Sequence, residues 1–244
     1  MKPPKVSVVI PAYNEATYID RLLEALTKQN FKNFEVIISD AQSKDGTEKV
    51  VNSFKEKLKV KFIEAPPKGP AFGRNQGAKQ AKGEWLLFLD ADDDIDDANF
   101  IDILISKAEA KGWMTASTKM KFRNKHGLWV LYYYQKLLAH TKRPVASGYC
   151  ILTKRSLFQK SGGFNEKIKF GEDYEYVSRV GGNGFGFVDD TYFYMDPRRN
   201  DSEGLKLLYN GTLNEVHRLL FGYKKLEENS IKYEFGKHAP RNKN

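Results

Sequence analysis

At 244 residues, with 41% hydrophobic and 29% charged content, the chain has the composition of a soluble globular protein and the length to bury a substantial core. Its 40 Lys and Arg against 31 Asp and Glu give a formal net charge of +9, which admits nucleic acid, anionic lipid or a phosphorylated substrate as partner. The one cysteine, Cys150, excludes an internal disulfide framework and fits a reducing compartment, and the apolar run before Pro11 is too short for a signal peptide or a membrane span.

Four apolar runs recur along the first half: KVSVVI (5–10), FEVIIS (34–39), LKVKFIE (58–64) and EWLLFL (84–89). Between them lie the helix-like segments ATYIDRLLEALTKQN, DGTEKVVNSFKEK and FGRNQGAKQAK. In the first of these Ile19, Leu22, Leu23 and Leu26 paint one helical face. Short, nearly continuous apolar strands alternating with helices predict a doubly wound, mainly parallel α/β sheet covered on both faces. After about residue 112 the pattern changes. WMTASTKMKF reads as a strand and GLWVLYYYQKLLAHTK as an aromatic-rich helix. ASGYCILTKRSLFQKSGGF reads as strand, short helix and turn. GEDYEYVSRVGGNGFGFVDDTYFYM reads as helix, glycine-rich turn and strand, and SEGLKLLYNGTLNEVHRLLFGYKK as a helix before a polar tail. No linker separates the halves, so one domain is expected over 1–225, in two parts (about 1–112 and about 113–225), with a tail over 226–244.

The expected strand ends carry PAYNE, DAQSKDGT and DADDD, and in such sheets ligands bind outside the carboxyl ends of the strands. The third cluster is the odd one: LFLDADDDIDD gathers six aspartates into the eight residues 90–97 of a basic chain. Like charges repel unless water or a cation screens them. Two readings stand, a solvated turn capping a helix or a seat for a divalent cation. Other chemistries lack their signatures. There is no G-x-x-x-x-G-K-[ST] loop, no G-x-G-x-x-G after the first strand, no zinc-ligand spacing and no G-x-S-x-G elbow, while GGNGFG (181–186) reads as a helix stop. Carboxylate chemistry with a hard metal remains. Asp90 and Asp92 form an Asp-x-Asp pair suited to Mg²⁺ or Mn²⁺, whose shell is completed by the oxygens of a diphosphate. Such a metal also stabilises a departing diphosphate. Asp93, Asp94, Asp96 and Asp97 read as helix-start and solvent residues.

Four stretches in this order resemble family 2 glycosyltransferases of the GT-A fold: VSVVIPAYNE, DAQSKDGT, GRNQGAKQAKGEWLLFLDADD and ASGYCILTKRSLFQKSGGFNEKIKFGEDYEYVSRV. The resemblance covers about residues 5–200 and implies a nucleotide-binding N-terminal part and an acceptor-binding C-terminal part. It implies that Pro11, Ala12, Tyr13 and Glu15 line the nucleotide pocket, and that Asp40 contacts the base. Arg74 then contacts the nucleotide or diphosphate, Asp90 and Asp92 take the Asp-x-Asp positions, and Asp92 is the direct metal ligand. Asp45, in the DGT turn, fits either an N-cap or a ligand contact. Glu172 and Asp173 match the family's Glu-Asp pair, whose aspartate is the expected catalytic base. An inverting transfer needs such a carboxylate on the acceptor side to take the acceptor's proton. A helix cap fits Asp173 equally as a residue type.

One departure bears on substrate. The Gln-x-x-Arg-Trp motif of the family's processive synthases is absent, which argues against a processive polysaccharide synthase. DPRRNDSEG stands at a comparable place. It resembles the Arg-Arg segment of an archaeal-type branch, as does YEFGK near the end; Arg198 and Arg199 suit a diphosphate or lipid phosphate. The resemblance therefore implies an inverting, metal-dependent transferase using a UDP- or GDP-sugar and a sugar or lipid-linked acceptor. Its expected place is the cytoplasm, peripherally on the cytoplasmic face of a membrane if the aromatic and basic helices 128–143 and 205–225 lie in the interface. Two other classes compete. A basic nucleic-acid-binding protein would use TKMKFRNKHGLWVLYYYQK but leaves the acidic strand ends unexplained, so no nucleic acid is expected. A nucleotide-sugar-binding protein without catalysis would have little use for the Glu-Asp pair.

Overall fold

The first apolar run forms β1 (Val6–Ala12), and β2 (Phe34–Asp40) and β4 (Trp85–Leu89) follow from the second and fourth; every residue of all three is buried. Near-continuous burial is what strands in the middle of a sheet with two covered faces require. The third run gives β3 (Val60–Glu64), the outermost strand, with Lys61 and Glu64 exposed. The computed structural model describes residues 3–121, 129–139, 141, 144–196 and 222–223, with only the backbone of 129–132. The helix expected over 202–225, apart from Gly222 and Tyr223, and the tail over 226–244 lie outside the described residues.

Seven strands form one sheet in the order β3-β2-β1-β4-β6-β5-β7. Six run parallel, as the alternating pattern predicts. The exception is β6 (Cys150–Lys154), antiparallel to both β4 and β5 (Thr115–Lys121), while β7 (Phe185–Tyr194) lies parallel to β5. Helices α1 (Ile19–Thr27), α2 (Thr47–Asn52) and α4 (Phe100–Ala110) cover one face, packing Leu22, Leu26, Val51, Ile101 and Leu104 on Val8, Ile10, Val36 and Leu87. The other face carries α3 (Pro70–Gln80), α6 (Arg155–Ser161) and α7 (Glu172–Val180), whose Ala71, Phe158 and Tyr176 pack with Val9, Leu86 and Phe88. Each fully buried Leu, Ile or Phe among them contributes roughly 1.5–3 kcal/mol. Beside β5 and β7 lies α5 (Trp129–Ala139), tied down by Lys136 to Asp189 at 2.6 Å.

Two helices are shorter than their apolar pattern predicts. The amides of Tyr18 and Ile19 donate to the Glu15 carbonyl at 2.9 and 3.0 Å, so residues 15–18 form a turn and α1 begins only at Ile19. The second helix stops at Asn52 because Phe54 turns into the core. The amides of Lys57 and Leu58 then donate to the Phe54 carbonyl at 2.9 and 2.8 Å, closing a turn that leads to β3. GGNGFG is a helix stop, with a short 3-10 turn over Gly181–Asn183 after α7 and Gly184 at φ +101° before β7.

Candidate active site

The carboxyl ends of β1 and β2 open into a cleft of about 480 Å³. Pro11, Ala12 and Tyr13 line it, together with Ser39, residues of the stretch that leads into α3 (Pro67 to Ala71, and Gly73), and Glu166, Ile168 and Lys169 from the loop before α7. Glu15, Asp40 and Arg74 are buried but do not line it. The Asp40 carboxylate accepts from the Ser43 amide (2.8 Å) and hydroxyl (2.6 Å), and Ser43 Oγ accepts the Asn14 amide at 2.7 Å. Asp45 does similar work. Its oxygens accept the amides of Thr47 (3.0 Å) and Ala16 (2.9 Å), so it satisfies the first amide of α2 from the residue before the N-cap Gly46 and ties the two strand-end loops together.

Arg74 reaches the site because α3 lies unusually close to the sheet. A Cβ on Gly77 would stand 2.4 Å from Val9 Cγ1, and one on Gly73 would stand 3.0 Å from Pro11 Cβ. With no side chain at either position, one turn apart, the helix backbone settles onto β1. Arg74 is then 3% exposed, with Nη2 on Asp90 Oδ1 and Nη1 on Glu172 Oε1, both at 2.7 Å. Nη2 also donates to the Gly148 carbonyl at 3.4 Å. The guanidinium is thus held by carboxylates from both halves of the chain.

Gly148 joins the two halves. The antiparallel course of β6 pairs Cys150 with Leu89, so the turn entering β6 lies beside the residues leaving β4. A Cβ on Gly148 would meet Arg74 Nη2 at 2.6 Å and Asp173 Cβ at 3.1 Å, so only glycine admits both neighbours. Its amide donates to Asp173 Oδ2, and the Tyr174 amide donates to Asp173 Oδ1 at 2.8 Å. Asp173 therefore sits in the first turn of α7, one residue after Glu172 and two after the N-cap Gly171 (φ +85°), and stays partly exposed. Each of its oxygens keeps a second lone pair for an incoming proton.

Four charged groups are crowded here with little water. Burial alone would lower the Arg74 guanidinium, but Asp90, Glu172 and Asp173 override it and raise its affinity for the proton. Burial, and next the Asp173 charge, push the Glu172 carboxyl up to about 7 against the pull of Arg74. Burial likewise raises Asp173, opposed by Arg74 and by the two backbone amides.

In the acidic run only Asp96 is exposed, which corrects the expectation of solvent residues at 93, 94 and 97. Asp92 is 1% exposed and Asp93 0%. Asp93 Oδ2 accepts the Asp90 amide at 2.8 Å and so closes the turn that turns residues 90–92. Asp94 exchanges backbone hydrogen bonds with Tyr194, and Asp97 accepts from Thr191 Oγ1 at 2.7 Å. Asp94 and Asp97 thus fasten the loop to β7, and Asp97 also stands at a helix start, its Oδ1 accepting the Asn99 amide at 2.9 Å just before α4. Among the described residues no group of three or more His, Cys, Asp or Glu is arranged to hold a metal by itself. Arg198 and Arg199 lie outside the described residues.

Two residues of the site escape the sequence reading. Ser39 Oγ is buried in the cleft lining with no hydrogen-bond partner among the described residues; the available signal was a serine in the inward register of an apolar strand. Gly148 gave no signal at all, because its role depends on the strand order.

The glycosyl transferase family 2 model matches residues 7–162. An uncharacterized glycosyltransferase of Rickettsia felis is 28% identical over 230 residues, covering 87% of this chain and 38% of its own length. The poly(ribitol-phosphate) beta-N-acetylglucosaminyltransferase TarS of Staphylococcus aureus is 44% identical over 108 residues, 40% of this chain and 19% of TarS. The chain thus spans well under half the length of these curated relatives. They are bacterial and lend no support to an archaeal-type branch. The crystal structure of TarS 1–349 with UDP superposes at a TM-score of 0.67 and 27% identity, covering 84% of this chain and 64% of that one. The mannosyltransferase PcManGT of Pyrobaculum calidifontis, solved with GDP-Man and Mn²⁺, superposes at 0.75 over 93% of this chain and 69% of that one, at 19% identity; it speaks for the GT-A fold alone. With its mixed seven-stranded GT-A sheet and a family match running from β1 through α6, this chain belongs to glycosyl transferase family 2.

Proposed function

We propose that this chain is an inverting, divalent-metal-dependent glycosyltransferase that moves a sugar from a UDP- or GDP-sugar to a lipid-linked phosphate or glycolipid. The observation that carries the reading is the Arg74 bridge, which joins Asp90 of the strand-end cluster to Glu172 of the acceptor-side pair within one buried site. The binding of UDP by TarS favours a uridine donor, and its poly(ribitol-phosphate) acceptor is, like a lipid phosphate, anionic.

Mg²⁺ or Mn²⁺ fits the donor set. Hard carboxylate oxygens at Asp92, with Asp90 beside it, suit a cation whose remaining ligands come from a diphosphate. Three carboxylates around one guanidinium also leave negative charge for a cation to offset. When bound, the metal would supply Lewis-acid stabilisation of the departing diphosphate. The chain's own residues do the rest. Pro11, Ala12 and Tyr13 hold the nucleotide, and Asp40 and Glu15 set the loops around it. Arg74 neutralises Asp90 and fixes Glu172. Asp173 takes the proton from the acceptor's attacking O–H, a glycolipid hydroxyl or the P–O–H of a lipid phosphate, as that oxygen bonds the anomeric carbon on the face opposite the bond to the departing nucleoside diphosphate, which inverts the centre.

The reading has the chain working in the cytoplasm, peripherally on a membrane. The exposed apolar pair Tyr133 (58%) and Leu137 (71%), four residues apart on α5, supports a membrane-facing helix. The test is a panel of UDP- and GDP-sugars with Mn²⁺, Mg²⁺ or chelator, read as nucleotide binding and diphosphate release. Metal-dependent release from at least one donor is expected. Binding without release would favour a non-catalytic nucleotide-sugar binder, and nucleic-acid binding without donor binding would favour the other alternative.

A further inference from the structure

The sequence places Gln135 in the middle of LYYYQKLL, a run whose aromatic and basic residues alone draw notice in the sequence. In the structure it is 4% exposed. A buried primary amide needs partners, and the partners here are specific. Its Nε2 donates to Ser147 Oγ at 2.6 Å and to Tyr174 Oη at 3.0 Å. Ser147 directly precedes Gly148, whose amide holds Asp173 Oδ2. Tyr174 directly follows Asp173, and its amide holds Oδ1. One side chain of α5 therefore holds the side chains of both residues that flank the carboxylate's amide contacts, Ser147 before Gly148 and Tyr174 after Asp173.

We infer that Gln135 is a positioning residue for Asp173, fixing the two amides that aim its carboxylate and hold it ready to accept a proton. The inference rests on the proposed role of Asp173 as base, but the geometry it describes does not. A hydrogen bond from an amide favours the charged carboxylate. Both the Gly148 and Tyr174 amides lower the proton affinity of Asp173, which burial raises. The other charged groups around Asp173 are Arg74 from α3, Asp90 at the end of β4, and Glu172 on its own helix; Gln135 is neutral and touches none of them in the contacts described above. Loosening the 147–149 turn and the first turn of α7 lengthens both amide contacts, while Arg74 keeps its ion pair with Asp90, which stands outside both segments. Asp173 then becomes harder to ionise, and its oxygens leave the direction of attack. A misplacement of about 1 Å costs up to about a hundredfold in rate.

The test uses the full chain and Gln135→Met, which keeps the length and volume of the side chain but has no N–H to donate. Two readouts need no donor: the ¹³C NMR titration of the Asp173 carboxyl, assigned with Asp173→Asn, and hydrogen exchange at the Gly148 amide. Gln135→Met is expected to move the Asp173 titration to higher pH and to speed Gly148 exchange. With the donor found by the nucleotide-sugar panel, kcat should fall roughly ten- to a hundredfold with the donor KM unchanged. If Gln135→Met fails to fold, the double variant Ser147→Ala, Tyr174→Phe removes the same contacts from the other side and must give the same titration shift. An Asp173 titration and Gly148 exchange identical to those of the unsubstituted protein, in whichever variant folds, would overturn the inference. A shifted titration together with full turnover by Asp173→Asn would uphold the positioning and instead sink the reading of Asp173 as base.

Discussion

Asp92, Asp173 and Ser39 make the residue-scale claims concrete. Asp92 is 1% exposed at the strand end, and Asp92→Ala should abolish transfer and remove the metal-dependent part of nucleotide binding. Calorimetry of UDP with and without Mn²⁺ reads the second effect, and metal-enhanced binding that survives the substitution would count against the ligand role. For Asp173 the sign follows from its environment. Burial raises its carboxyl above the ordinary aspartate range, and only the ionised form accepts a proton. The rate should therefore climb with pH through that raised value and be lost on the acid side. Asp173→Asn should lower kcat by about two to four orders of magnitude with little change in donor affinity. A variant that loses stability instead, with turnover per folded molecule intact, would leave Asp173 only a structural place in the first turn of α7. Ser39 offers a buried hydroxyl in the cleft lining with no partner among the described residues, so a bound nucleotide is its natural counterpart. Ser39→Ala should weaken UDP binding by about 0.5–1.5 kcal/mol and leave the melting temperature unchanged or raised. Unchanged nucleotide affinity would remove Ser39 from the site.

At the scale of the element, α3 shows how a helix serves a site through what it lacks. Its Gly73 and Gly77 weaken it by about 1 kcal/mol each relative to alanine. In exchange the helix approaches β1 closely enough to bury Arg74 between Asp90 and Glu172. Gly77→Ala raises helix propensity but drives a methyl into Val9, a stiff β-branched side chain in a fully buried strand. Overpacking of this kind costs about 1–3 kcal/mol, so the net expectation is a lower melting temperature together with reduced activity, as Arg74 is pushed off its carboxylates. A stabilised variant would show that α3 can lift from the sheet without cost. The spacing of these glycines was visible in GRNQGAKQAKG. Which strand they face, and hence where Arg74 points, was not.

For the whole molecule the open question is where it works. The net charge of +9 and the exposed Tyr133 and Leu137 on α5 favour an anionic membrane surface. Flotation with anionic liposomes at low salt should carry the protein upward, and Leu137→Glu should reduce that recovery several-fold without altering UDP binding. Protein that remains at the bottom of the gradient at low salt, and transfers sugar equally well without lipid, would rule the membrane reading out. No helix among the described residues is long and apolar enough to cross a membrane.

The sequence by itself determined the local layers. Short continuous apolar runs located the strands and the 3.6-residue period the helices to within a few residues, because strands covered on both faces and amphipathic helices must carry those patterns whatever they pack against. It also located the polar strand ends where PAYNE, DAQSKDGT and DADDD stand. Tertiary structure decided the rest. The reversed course of β6 pairs Cys150 with Leu89 and brings Gly148 to Arg74, 74 residues away, while the start of α7 brings Asp173 to Gly148 across 25 residues. Likewise Asp93, one of six similar aspartates in sequence, is the one that folds inward to close the strand-end turn. A carboxylate's role depends on which amides, cations and low-water surfaces surround it, and those are supplied by residues far along the chain that no local pattern names.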